Sequence, residues 1–142
     1  MQSLGPASPW IESLIQESNE SWTLQSSEGL DMAVTFTDGP TRLLLSALLG
    51  QPEEEHQHLV YVTMLCVNLL HAEDNALRVA LTGPSGELML MSDAVLAESS
   101  LSSLQHLLWS FHQSASRLIE RIHAIAHEDA EFEPIVGDFL RA

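Results

Sequence analysis

Lysine is absent from all 142 residues, and the only cations are five arginines, Arg42, Arg78, Arg117, Arg121 and Arg141, against twenty aspartates and glutamates. A surface so short of positive charge excludes nucleic-acid binding, because phosphate contacts gain their free energy from clustered Lys and Arg that release counterions. It also excludes a glycine-rich phosphate loop of the type that ends in Lys. Cysteine is nearly absent too. Cys66 stands alone, so no internal disulfide forms; its setting in the apolar run "VTMLCVN" predicts a small buried thiol and a reducing compartment. No run reaches the roughly 18 consecutive apolar residues of a membrane-spanning helix, and "MQSLGPASPW" has no basic stretch leading into an apolar one. A soluble, cytoplasmic protein with no membrane association is expected.

Apolar residues make up 45% of the chain, which predicts folding despite a net charge of -15. The length suits one domain, of a size that buries roughly 70% of its unfolded surface. Residues 1–142 are therefore taken as a single domain, with a flexible lead-in at 1–7 and a loosely attached acidic tail at 128–142. High like charge keeps such a protein soluble while it presents apolar surface to a partner.

Ser8-Pro9 is a helix-start signal, and Trp10, Ile11, Leu14 and Ile15 follow at one-, three- and one-residue steps, which predicts a short first helix. From Trp22 the period shortens to two. "WTLQSS", "LDMAVTFT" and "RLLLSALL" read as three strands, with a turn at Asp38–Thr41. "HQHLVYVTMLCVNLLH" is too long for an ordinary strand and predicts a helix over 56–71, apolar nearly all round. Two more strands, 76–81 and 87–91, meet across "GPSG". From Leu101, apolar residues recur at three- and four-residue steps to Ile125, predicting a long last helix, with a capping-box pattern at Ser102 and Gln105. The order α-β-β-β-α-β-β-α predicts an α+β fold, a mainly antiparallel sheet carrying three helices.

Little in the chain promises catalysis. His56 and His58 lie beside Glu53–Glu55, and His123 and His127 are four apart, so either pair has the spacing to share a metal ion. The second pair lacks the Glu that follows the first His in metalloproteases, and solvated polar faces account for both. In Gly83-Pro84-Ser85-Gly86 the last Gly directly follows Ser, unlike the nucleophile elbow, so this is a turn. No catalytic residue, metal or cofactor is assigned, and a small metal-dependent enzyme stays a minor alternative.

Leu88, Met89, Leu90 and Met91 are apolar at both parities, as is much of "RLLLSALL". A sheet with one wet face needs only alternate apolar residues, so a second copy or a partner is expected on the other side. The run from Leu59 to Ile122 resembles the class I chaperones of bacterial type III secretion, the family that includes the chaperone of the translocated intimin receptor. The resemblance rests on Leu65, Asn68, the Gly83–Gly86 turn, Leu88, Leu90, Leu104, Leu108, Phe111 and Ala115. It implies a cytoplasmic homodimer without cofactor or enzymatic activity. Such a dimer binds the N-terminal segment of a secreted effector and keeps it soluble and secretion-competent, by apolar grooves and strand addition. It places Tyr61, Met64, Leu65 and Asn68 at the dimer interface, and Trp10, Leu14, Val34, Phe36 and Leu44 against the effector, although each could equally be a core residue of the monomer. A regulator on the same scaffold that sequesters another protein is the alternative.

Overall fold

The computed structural model describes residues 1, 4–37, 42–73, 77–95 and 100–127. A helical turn, α1 (Leu4–Ala7), precedes strands β1 (Ile11–Gln16), β2 (Ser21–Ser26), β3 (Asp31–Thr37) and β4 (Arg42–Gly50). Helix α2 (Gln57–Leu70) follows a 3₁₀ turn at Glu54–His56; then come β5 (Arg78–Leu81), β6 (Leu88–Val95) and helix α3 (Leu101–His127). The strands form one antiparallel sheet in the order β1-β2-β3-β4-β6-β5. The turn expected at Asp38–Thr41 and the acidic tail at 128–142 lie outside the described residues.

The α+β architecture holds, with two long helices rather than three. The segment read as a first helix is the edge strand β1, paired through Leu14 with Leu24 and Ile15 with Thr23. Ser8-Pro9 opens a turn, closed by the Ile11 N–H donating to the Ser8 carbonyl at 3.0 Å, with proline at the position that presets φ. The Glu17 N–H likewise donates to the Ser21 carbonyl and closes a β1–β2 hairpin. Pairing with β2 overrides a local pattern that scans as helix, as tertiary context commonly does to weak propensities. Leu4, in the segment expected to lead in, is wholly buried.

The core lies between one face of the sheet and the helices. Met32 and Val34 of β3, Leu43, Leu45, Ala47 and Leu49 of β4, and Leu88 and Leu90 of β6 point into it. Across from them stand Leu104, Leu108, Phe111, Ala115, Leu118, Ile122 and Ile125 of α3, an i, i+3, i+4 stripe on a helix roughly 40 Å long. Ser100, not Ser102, caps α3: its hydroxyl accepts from the Ser103 N–H at 3.2 Å. Gln105 is turned instead toward Ser8, donating to its hydroxyl at 3.1 Å.

The "GPSG" turn is a turn, as expected. The Gly86 N–H donates to the Gly83 carbonyl, and the Thr82 N–H to the Glu87 carbonyl at 2.9 Å. Gly86 has φ +82°, and a Cβ there would lie 2.4 Å from the Tyr61 hydroxyl, so this position needs glycine twice over. Gly86→Ala is expected to lower stability by about 2 kcal/mol, from left-handed strain plus displacement of Tyr61. Adding Tyr61→Phe should return part of the loss in urea unfolding, because the clashing oxygen is gone.

Candidate functional site

Among the described residues, no helix covers the sheet's outer face. Side chains alternate along a strand, so burying Leu43, Leu45, Ala47 and Leu49 turns Leu44, Ser46 and Leu48 outward. Register with β6 sets Leu44 opposite Asp93, Ser46 opposite Met91 and Leu48 opposite Met89. The outward residues of β6 are therefore Met89 and Met91, with Leu88 and Leu90 inward. Leu44, Leu48, Met91 and Val95 are all exposed, and together with Ile15 of β1 they make an apolar face on a strongly acidic protein. A hollow of about 440 Å³ opens here, lined by Thr35, Arg42, Leu44, Met89, Met91 and Asp93 among others. Arg42 closes one side in a two-pronged ion pair with Asp93, its Nε 3.0 Å from Oδ1. The unbranched methionines Met89 and Met91 beside such a hollow adapt to differently shaped apolar side chains.

A second apolar surface runs along α2. Val60, Thr63, Met64 and Val67 face the core, which sends Leu65 and Leu69 into solvent, 66% and 75% exposed. With the half-buried Val62 they form a stripe at three- and four-residue steps, the spacing that lets one helix pack on another. Leu81, at the end of the neighbouring strand β5, is also exposed.

Two polar side chains of α2 clamp it to the β5–β6 hairpin. The Tyr61 hydroxyl donates to the Gly86 carbonyl at 3.1 Å. The Asn68 amide donates to the Val79 carbonyl at 2.9 Å and accepts from the Val79 N–H at 2.7 Å. Asn68 thereby satisfies both backbone groups at the middle of a four-residue edge strand, as a neighbouring strand would.

At the other end of the sheet, Trp10 packs against Trp109 and His112 of α3, at ring-centroid distances of 5.3 and 5.0 Å, and Trp109 stacks on His112. His112 is buried and neither ring nitrogen has a hydrogen-bond partner; the Glu28 carboxylate lies 3.6 Å from Nε2. Burial pushes the imidazole below its ordinary 6.5, with Glu28 offsetting part of the shift. The unfolded chain then takes up a proton before the folded one, so stability is full above pH 6.5 and falls as pH drops below it. The expected loss is at most about 1.4 kcal/mol per pH unit for one proton. Urea unfolding at pH 7.5 and 5.5 should show this drop in the natural protein and a smaller one in His112→Phe, which keeps a ring between the two tryptophans.

Of the residues expected at an effector surface, Leu44 sits in the outer face. Val34 does not: it is 0% exposed, pointing inward opposite Leu45, and is a core residue. Phe36 is on the same inner side, half-buried in an edge-to-face pair with Trp22, ring centroids 5.2 Å apart. Leu14 faces inward beside Leu24, and Trp10 belongs to the aromatic cluster on α3. Of the residues expected at a subunit interface, Leu65 is freely available. Met64 is 2% exposed and packs into its own core, while Tyr61 and Asn68 spend their polar groups on the hairpin. Leu69, Leu48, Met91 and Val95 are surface residues that sequence reasoning missed. Leu69 carried a signal, one helical turn beyond Leu65. Cys66 is half-buried rather than enclosed. Among the described residues, no three of His, Cys, Asp and Glu come together as a metal-binding group, and no helix is long and apolar enough to cross a membrane.

A model of the Tir chaperone protein (CesT) family matches residues 11–118. Among solved structures, the HopA1–SchA chaperone–effector complex contains a chain with TM-score 0.60 and 15% identity, covering 83% of this chain and 88% of that one. The heterodimeric ExoU–SpcU complex from the type III secretion system of Pseudomonas aeruginosa gives 0.54 at 21% identity, covering 74% and 84%. The ExsC–ExsE complex gives 0.56 at 16%, covering 69% and 72%. At these identities the likeness is one of fold. None of the curated proteins matches the sequence.

Proposed function

The chain belongs to the Tir chaperone protein (CesT) family, and from that premise we propose that it is a type III secretion chaperone. It binds the N-terminal segment of one or more secreted effectors in the bacterial cytoplasm and keeps them soluble and secretion-competent. The observation that carries this reading is the outer face of the sheet, which no helix covers among the described residues. Leu44, Leu48, Met91 and Val95 stand in water on this face, Leu44 and Met91 lining a hollow of about 440 Å³, as a non-enzymatic binder of apolar side chains requires. The three fold relatives come from complexes, two of them named as chaperone–effector or secretion-system assemblies, which agrees with a protein client.

The working unit is a homodimer joined through α2. The stripe of Val62, Leu65 and Leu69 meets its own copy across a two-fold axis, which a self-complementary patch on one helix permits. Leu65 is then the interface residue among those expected from the sequence, joined by Leu69; Tyr61 and Asn68 hold the hairpin that flanks the interface. Purification from the native host, with identification of the bound protein and a test of its isolated N-terminal segment, checks the reading. A client that binds only as a folded domain, or through its C-terminal part, contradicts it.

A further inference from the structure

The two edges of the sheet differ. At β5 the Asn68 amide holds both the N–H and the C=O of Val79, so the middle of that edge is closed. At the opposite edge stands β1, which among the described residues pairs with β2 alone. Of its six residues only Ile11 is buried, whereas the nine residues of β4 bury four. Its pairing is interrupted by a bulge between Ile11 and Ser13, and Ile15 points outward with more than half its surface in water. The firm attachments of this segment lie upstream of the strand, in Leu4, in the Ser8–Gln105 hydrogen bond and in Trp10 against Trp109 and His112.

The sequence of β1 also disagrees with its conformation. Ser8-Pro9 followed by Trp10, Ile11, Leu14 and Ile15 is a helical pattern, so the segment has a second conformation available once it leaves the sheet. Beneath it, β2 presents Leu24, fully buried, and Trp22, half-buried, toward the core, with Thr23 and Gln25 on the other side. That is a strand edge shaped for an extended segment with apolar side chains at alternate positions.

We propose that β1 is a displaceable occupant of the β2 edge: an extended client segment with alternating apolar residues takes its place beside β2, while Ser8 and Trp10 stay anchored on α3. This deepens the chaperone reading and rests on it for the identity of the natural client. Release of β1 uncovers Ile11, the inward side of Leu14 and the β2 edge at Leu24, a small part of the core, so opening costs less than global unfolding and belongs to the low-stability end of local motions.

The test uses the full-length chain and a labelled synthetic peptide copying residues 8–17 as the probe, so its outcome does not depend on whether a client exists. Ser13 and Gln25 are register partners, and cross-strand pairs lie within reach of a disulfide. Ser13→Cys with Gln25→Cys, in a Cys66→Ser background, therefore locks β1 when oxidised and frees it when reduced. The expected result is saturable peptide binding by fluorescence anisotropy to the natural chain and to the reduced variant, weakened at least about tenfold by oxidation. In the natural chain, amides of residues 11–16 should exchange at least about 100-fold faster than those of β3 and β4. The proposal is overturned by equal binding to oxidised and reduced forms, which would mean addition outside β1. It is equally overturned by absence of peptide binding, or by β1 amides as protected as those of β3 and β4. Because reduction restores the same polypeptide, a folding defect of the variant shows in both forms and is separated from the effect of the lock by circular dichroism.

Discussion

Substituting both Leu65 and Leu69 by Glu is expected to turn a dimer into a folded monomer. Both side chains are mostly in water in the single chain, 66% and 75% exposed, so charging them leaves the protomer's core intact. In the proposed dimer each leucine is an anchor at the centre of the two-fold contact. Replacing anchors by carboxylates costs about 2 kcal/mol or more apiece, and the acidic substituents also face their own copies. With both substitutions present in each of two chains, dimer dissociation should rise by at least about three orders of magnitude. Light scattering at micromolar concentration then moves from twice 15.6 kDa to 15.6 kDa, with an unchanged far-ultraviolet spectrum. A dimer that survives both substitutions places the interface elsewhere. Met64→Glu is no substitute for this test. That side chain is 2% exposed, and an unpaired buried carboxylate costs about 3–5 kcal/mol, a large share of a typical domain's total stability. It is expected to unfold the protomer whatever its oligomeric state.

The second large effect is expected on the outer sheet face. Leu44→Asp together with Met91→Asp places two carboxylates in the hollow beside Asp93, where Arg42 is already engaged. Apolar client side chains lose their contact and meet added negative charge, so affinity for the client's N-terminal segment should fall by at least about 100-fold, equivalent to roughly 2.7 kcal/mol. Both positions are exposed in the protomer, so the unfolding midpoint should move little. Calorimetric titration of the client segment reads the first quantity and urea unfolding the second. Unchanged affinity in a folded variant removes the outer face from the binding site.

The elements with strong periodicity are legible in the amino-acid sequence: β2, β3, β4, α2, α3 and the hairpin across Gly83–Gly86 all fall close to their expected places. Amphipathic spacing suffices there, because burying one face gives one answer. Side-chain facing is not legible where sequence is silent about parity or context. In "LRVALTGPSGELMLM" both parities are apolar, so only register with β4 shows that Leu88 and Leu90 are core and Met89 and Met91 are surface. The same ambiguity groups Val34, a core residue, with Leu44, a surface one. On α2, both the core stripe through Met64 and the outer stripe through Leu65 are apolar, and these adjacent residues, expected at one interface, point to different sides. Trp10 to Ile15 has a helical stripe but an edge strand's neighbours. His112 gives no signal because it follows Phe111 within the wide apolar face of α3, while its role depends on Trp10, about a hundred residues away in sequence.

The sharpest test is the mass and state of a complex between this protein and the N-terminal segment of a type III effector from the same host. A stable complex of two chaperone chains with one client segment is expected by light scattering. In it the client's amides gain protection only where it touches the chaperone, and the segment shows no cooperative unfolding of its own. Failure of every such segment to bind, or binding of a client that remains globular, would contradict the chaperone reading.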